Sequence, residues 1–189
     1  MNRPFDGIDF RHVEPELWVP GSDHPSPSGF RCARREFTTY WKQGRVEREC
    51  TARIACAFTL QAGGRLAAYM TLLADKLQAE EALLAADQIR YRTFPAVKIG
   101  LLAADERARG AGTRLVKWAL GYSAFELGRQ LGVRFVTVDS LFDVDTGFDA
   151  SPFYTKLGFQ FATPHEPMPP ADGYRTMFFD LAPLWSASQ

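Results

Sequence analysis

Arg107-Ala108-Arg109-Gly110-Ala111-Gly112-Thr113 lies between an apolar run and a helical pattern. Before it, Pro95-Ala96-Val97-Lys98-Ile99-Gly100-Leu101-Leu102-Ala103 is short and mostly apolar, as an interior strand is. After it, Val116, Leu120, Ala124, Leu127 and Leu131 draw one apolar stripe along a helix spanning Ala111 to Leu131, with Gly132 ending it. A glycine turn opening a helix is where an anion site is built. The first helical turn leaves N–H groups unpaired at the positive end of the dipole. Glycines let oxygens approach the backbone, Arg107 and Arg109 add positive charge, and Thr113 adds a hydroxyl donor. A plain turn with two solvated arginines is the alternative; the flanking strand and helix favour a phosphate cradle. No Gly-Lys-Ser/Thr follows, and the full Gly-x-Gly-x-x-Gly of a dinucleotide fold is absent.

Working outward, Val133 to Asp139 reads as the next strand, followed by an acidic stretch with Asp143, Asp145 and Asp149. Ser151 to Leu157 reads as a short helix ended by Gly158, and Phe159–Phe161 and Tyr174–Leu181 as closing strands. Upstream, Arg53–Leu60 and Leu66–Leu73 form a hairpin around Gln61-Ala62-Gly63-Gly64. Arg31 to Gly44 is expected to be a helix, and Ala74 to Arg90 a short helix with a connection. Residues 1–30 are rich in Pro and Gly, with Pro20 to Gly29 the clearest loop. Strands alternating with helices, without a dividing linker or repeat, predict one domain over residues 1–189. Its architecture is an α/β fold with a single mixed sheet and helices on both faces.

The composition supports a globular chain of 189 residues, 46 % hydrophobic, long enough for a sizeable core. Twenty-two basic residues balance 22 acidic ones, so no overall field draws in a polyanion or an anionic membrane. No run approaches the roughly 18 apolar residues of a membrane span. The N-terminal Met1-Asn2-Arg3-Pro4-Phe5-Asp6 lacks the apolar core of a secretory signal. Cys32, Cys50 and Cys56 form no CxxC pair, and with His12, His24 and His165 scattered no metal spacing emerges. A reduced, cytoplasmic protein without metal is expected, with Cys56 a buried packing residue.

Arg107-x-x-Gly110-x-Gly112 followed by Leu115-Val116 resembles the acyl-CoA pyrophosphate loop of the GCN5-related N-acetyltransferases. Ser151-Pro152-Phe153-Tyr154-Thr155-Lys156-Leu157-Gly158-Phe159 resembles that family's second marker, and the strand Val133–Asp139 fills the interval. The resemblance spans about residues 50 to 182 and is strongest from Pro95 to Phe161. It implies splayed central parallel strands, Val97–Ala103 and Val133–Asp139, whose gap accepts the pantetheine arm against the backbone of Leu101, Leu102 and Ala103. It implies acetyl-CoA as co-substrate, bound by Arg107, Ala108, Arg109, Gly110, Ala111, Gly112 and Thr113. Tyr154 matches the phenol that protonates the departing thiolate. The turn between strand and loop is shorter than in relatives, Asp105-Glu106 running almost directly into Arg107. A register starting at Arg109 would place Arg114 at the last glycine position; the Arg107 register keeps Leu115-Val116 on the helix stripe.

The general base is open. Asp139, at the C-terminal end of its strand, is one candidate, unless it is simply a capping or surface carboxylate; a water chain to the amine is the other. The acceptor is an amine, and a homodimer is the oligomeric expectation. A narrower resemblance links the helix Arg31–Gly44, the hairpin and the strand beginning at Pro95 to toxins that acetylate aminoacyl-tRNA. Residues 31–49 hold six basic side chains (Arg31, Arg34, Arg35, Lys42, Arg45, Arg48) against Glu36, Glu47 and Glu49, a modest excess. The acidic stretch from Asp139 to Asp149 argues instead for a small cationic or protein amine. A non-catalytic acyl-CoA-binding domain is the third class.

Overall fold

A computed structural model describes residues 4–22, 29–78 and 81–186. Most of the Pro20–Gly29 loop predicted from the sequence lies outside the described residues. The chain divides into two compact units, one of residues 1–73 and 99–119, the other of 74–98 and 120–189.

The first unit contains β1 (Glu16–Trp18), α1 (Arg35–Lys42), α2 (Arg45–Thr51), β2 (Cys56–Ala62), most of β3 (Arg65–Gln78) and the second half of β4 (Thr93–Ala104). These strands are ordered β1-β2-β3-β4. The predicted hairpin is β2–β3, with Ala62 opposite Arg65 across Gly63 and Gly64. Both glycines take positive φ, +57° and +68°, the left-handed pair that a two-residue hairpin turn requires. Arg53–Ala55 stays outside β2. Cys56, expected to be buried, is exposed, because it begins the strand before Ala57 to Leu60 are covered. The core gathers Phe30, Val46, Leu66, Tyr69 and Ala103, with Trp41 and Phe37 against them. Buried Tyr69 gives its hydroxyl proton to the Phe37 carbonyl at 2.6 Å.

The predicted helix at Arg31 begins four residues later, at Arg35. Residues 31–34 cannot enter it, because the Arg31 N–H and carbonyl are engaged by Asp105 Oδ2 and by the Glu106 N–H. Gly44 lies beyond the helix at φ +66°, and this left-handed residue lets α2 start immediately.

The second unit holds the end of β3, the start of β4, β5 (Phe135–Asp143), β6 (Phe148–Asp149), α5 (Ser151–Thr155), β7 (Gln160–Phe161), β8 (Tyr174–Asp180) and α6 (Ala182–Ser186). Its strands follow the order β3-β4-β5-β8-β7, with β6 on β5. The β4–β5 pair is parallel and β5–β8 antiparallel, so the sheet is mixed. Ala74–Gln78 was expected to be helical but continues β3, and Glu81–Asp87 forms 3-10 turns. Burial of Leu77 with Leu84, Phe94 and Phe135 outweighs the helical leaning of Ala, Leu and Glu.

The helix after the glycine loop is α3 (Ala111–Tyr122), a π turn over Ser123–Leu127, and α4 (Gly128–Leu131). The predicted stripe is buried at Val116, Leu120 and Ala124 but leaves Leu131 70 % exposed. The π turn's extra residue rotates the last turn outward. Gly128 N–H bonds the Ser123 carbonyl, and the carbonyl of Ala124 accepts from Trp185 Nε1 at 3.1 Å. A Cβ on Gly128 would lie 3.0 Å from two backbone oxygens, so this turn needs glycine.

Candidate active site

In the first unit, β4 ends at Ala104 and α3 starts at Ala111, and the intervening turn is built on Asp105. Asp105 donates its N–H to Ala67 of β3 at 2.8 Å, and its carbonyl accepts from Ala108 at 2.9 Å. The chain then turns through Gly110, at φ +89°, where L side chains are strained. Ala111 donates to Ala108 and Arg114 to Gly110, closing the first helical turn. The N–H groups of Arg109, Gly110, Gly112 and Thr113 have no acceptor among the described residues. Those of Gly110, Gly112 and Thr113 are orphan donors at the positive end of a 12-residue helix, and that of Arg109 belongs to the turn before it.

The loop's sequence-predicted residues separate into distinct roles. Leu115 and Val116 are fully buried. Ala108 and Ala111 are buried and fasten the turn to the core. A Cβ on Gly112 would meet only Ala104 Cβ, at 3.6 Å, an ordinary contact, so the fold itself does not demand glycine there. Arg109 is exposed, and no acidic partner is found for it among the described residues. Arg107 is paired with Asp105 at 2.6 Å. Arg114 donates from Nε to the Val13 carbonyl at 3.0 Å and from Nη2 to Glu14 at 2.7 Å, which commits it to the N-terminal segment. On β4, Leu101 and Leu102 are half-buried and Ala103 buried, and the Leu101 N–H donates to Thr71 Oγ1 at 2.9 Å.

A second feature of this unit escaped the sequence reading. A cleft of about 530 Å³ is lined by Phe30, Arg31, Cys32, Arg35, Thr38, Lys42 and Glu106, among others. Of the basic residues between 31 and 49, Arg34 pairs with Glu36, Arg45 stacks over Tyr40 and Arg48 donates to the Gln43 carbonyl. Arg31, Arg35 and Lys42 face the cleft without an acidic side-chain partner among the described residues. Charge counts alone hide this sorting, since only pairing shows which cations remain free.

In the second unit, α5 carries Tyr154 against Phe153 and Phe159, with ring centroids 5.0 and 5.5 Å away, and Phe159 in turn packs on Phe179. Gly158 takes φ +91°, and a Cβ there would press on Phe179 at 3.0 Å. Burial pushes the Tyr154 phenol above its ordinary range, so it is a protonated donor at neutral pH. Asp139 lies on β5 opposite Thr176 of β8. Its Oδ2 is paired with Lys98 Nζ, and its Oδ1 accepts from Thr176 Oγ1 at 3.0 Å.

Two further acids of the stretch are engaged in local turns. Asp143 accepts from the N–H groups of Asp145 and Thr146, and Asp149 accepts from Ser151 N–H at 2.8 Å. The acidic run is thus in part turn chemistry, and the Lys98 ammonium offsets the charge of Asp139.

No protein-family model matches the sequence, and no curated protein is similar to it in sequence. Solved structures are similar in fold. AtaT complexed with acetyl-methionyl-tRNAfMet aligns at TM-score 0.75 with 18 % identity, covering 94 % of this chain and 99 % of that one. A tyrosine-to-phenylalanine variant of KacT aligns at TM-score 0.73 and 19 % identity, over 93 % and 98 %. AtaTR bound with acetyl-CoA aligns at 0.70 and 20 %, over 94 % and 98 %. The fold is that of the GCN5-related N-acetyltransferases, in the form seen in these toxin structures.

Proposed function

We propose that the chain is an acetyl-CoA-dependent N-acetyltransferase acting on an amine. The observation that carries this is the row of unpaired N–H groups at Arg109, Gly110, Gly112 and Thr113, which fits a pyrophosphate. The Arg109 guanidinium adds charge there, and the backbone of Leu101 to Ala103 receives the pantetheine arm. Tyr154 acts as general acid. As the acceptor nitrogen bonds to the thioester carbonyl and the C–S bond breaks, the phenol hands its proton to the sulfur. Both oxygens of Asp139 are engaged, which favours a charge-pairing role for it, and the amine proton passes to water. The AtaTR structure bound with acetyl-CoA supports the co-substrate. The test is acetyl-CoA-dependent thiol release over a panel of amines: turnover that Tyr154→Phe abolishes is expected, and binding without turnover would make this an acyl-CoA-binding domain.

A second reading specifies the acceptor as the amino group of an aminoacyl-tRNA. The cleft with Arg31, Arg35 and Lys42, which have no acidic partner among the described residues, supports it, as does AtaT's complex with acetyl-methionyl-tRNAfMet. Phosphate contacts supply most nucleic-acid affinity, and these three cations at one cleft suit them. Charged tRNA should then be acetylated, and the triple variant Arg31→Ala/Arg35→Ala/Lys42→Ala should lose tRNA turnover while keeping any turnover of a small amine. Equal loss on both acceptors would count against it.

A further inference from the structure

The loop with the unpaired amides opens on a cation already committed elsewhere. The Asp105 side chain is fully buried and accepts four N–H bonds. They come from Arg31 N at 2.9 Å, Arg107 N at 3.0 Å, Arg107 Nε at 2.7 Å and Arg107 Nη2 at 2.6 Å. Arg107 Nη2 also donates to the Gly29 carbonyl, and Glu106 N–H bonds the Arg31 carbonyl at 2.8 Å. Between these bonds Phe30 is buried, its ring 6.0 Å from that of Tyr69. A bidentate pair with a buried carboxylate is costly to break, because it would strand that carboxylate without its cation. At a phosphate some ångströms away, the Arg107 charge is largely cancelled by Asp105 beside it, whereas Arg109 is uncompensated.

We propose that Arg107 is a positioning residue rather than a phosphate ligand. With Asp105 it fastens residues 29–31 to the start of the loop and holds the loop amides in register, and Arg109 is the side-chain charge that meets the phosphate. The inference rests on the acyl-CoA reading above. It also explains the short turn, since Asp105 anchors what a longer connection would otherwise have to support.

The experiment measures CoA binding by calorimetry at several salt concentrations, with thermal unfolding in parallel, for wild type, Arg107→Gln, Arg107→Lys and Arg109→Gln. Arg109→Gln should weaken CoA about tenfold, the worth of one charge-assisted bond, flatten the salt dependence and leave the melting temperature unchanged. Arg107→Gln should lower the melting temperature and weaken CoA while keeping the wild-type salt dependence. Arg107→Lys keeps the charge but not the fork, and should fall between wild type and Arg107→Gln in melting temperature, again with the wild-type salt dependence. If Arg107→Gln flattens the salt dependence as Arg109→Gln should, or if neither Arg107 variant shifts the melting temperature, the positioning role is overturned. Failure of wild type to bind CoA at any salt would instead overturn the acyl-CoA reading.

Discussion

Lys98 of β4 is ion-paired with Asp139 of β5, and both side chains are about three-quarters buried, at 25 and 26 % exposure. With Thr176 bonded to its other oxygen, Asp139 is held on both sides by the sheet. Lys98→Met should therefore destabilise the protein by about 1–3 kcal/mol, because a carboxylate about three-quarters buried is left without its cation. Asp139→Asn should leave kcat within a few-fold of wild type. Denaturant melts and steady-state kinetics check this; a loss of turnover of about 100-fold or more would restore Asp139 as the base.

Tyr154→Phe keeps the ring contacts with Phe153 and Phe159 and removes only the hydroxyl. Turnover should fall about 100-fold or more, within the usual range for losing a general acid, while acetyl-CoA affinity stays close to wild type. Because burial raises the phenol, activity should not decline through Tyr154 ionisation until the pH exceeds its ordinary value of about 10. Steady-state kinetics with parallel calorimetry separate the two effects.

Gly110 and Gly112 should respond differently to substitution. Gly110→Ala places a side chain at φ +89° and should cost about 1–2 kcal/mol in stability. Gly112→Arg meets no such strain and should leave the melting temperature near wild type while abolishing CoA binding, since bulk there blocks the approach of phosphate to the backbone. Calorimetric titration of CoA into each variant tests this, and undiminished affinity in Gly112→Arg would remove the loop as the site.

Asp105 should impose a pH dependence on stability. Burial would raise its carboxyl, but the Arg107 and Arg31 donors outweigh burial and hold it below the usual value of 3.8. The unfolded chain therefore binds the proton more readily than the folded one. The stabilisation is complete above about pH 4 and is lost as the pH falls through the lower, folded value. Asp105→Asn should cost about 3 kcal/mol at neutral pH and flatten the acid end of the stability curve, as chemical denaturation across pH would record.

The glycine turn that opens α3 was legible because its pattern is local: glycines, arginines and a helix start sit within seven consecutive residues. The Tyr154 segment was legible for the same reason, as were the Gly63-Gly64 hairpin turn and the Gly132 helix end. Periodicity and turn chemistry act over a few residues and are written directly in the chain. The helical pattern failed where a distant partner decided the outcome. Trp185 takes up the carbonyl that the π turn frees at Ala124, 61 residues away, and Leu131 consequently faces solvent. Leu77 entered a strand because Phe94 and Phe135 surround it.

The same division holds at the site. Sequence alone determined that a basic glycine loop precedes a strong helix, and that a Phe-Tyr segment ended by a glycine follows one strand later. Only the tertiary structure decided which charges remain available. It joined Arg107 to Asp105 and to Gly29, bound Asp139 to Lys98 and Thr176, and left Arg109, Arg31, Arg35 and Lys42 without acidic partners among the described residues. Charge is a property of the residue, but its field depends on what stands beside it. Neighbours 41 and 78 positions away are chosen by folding rather than by local pattern.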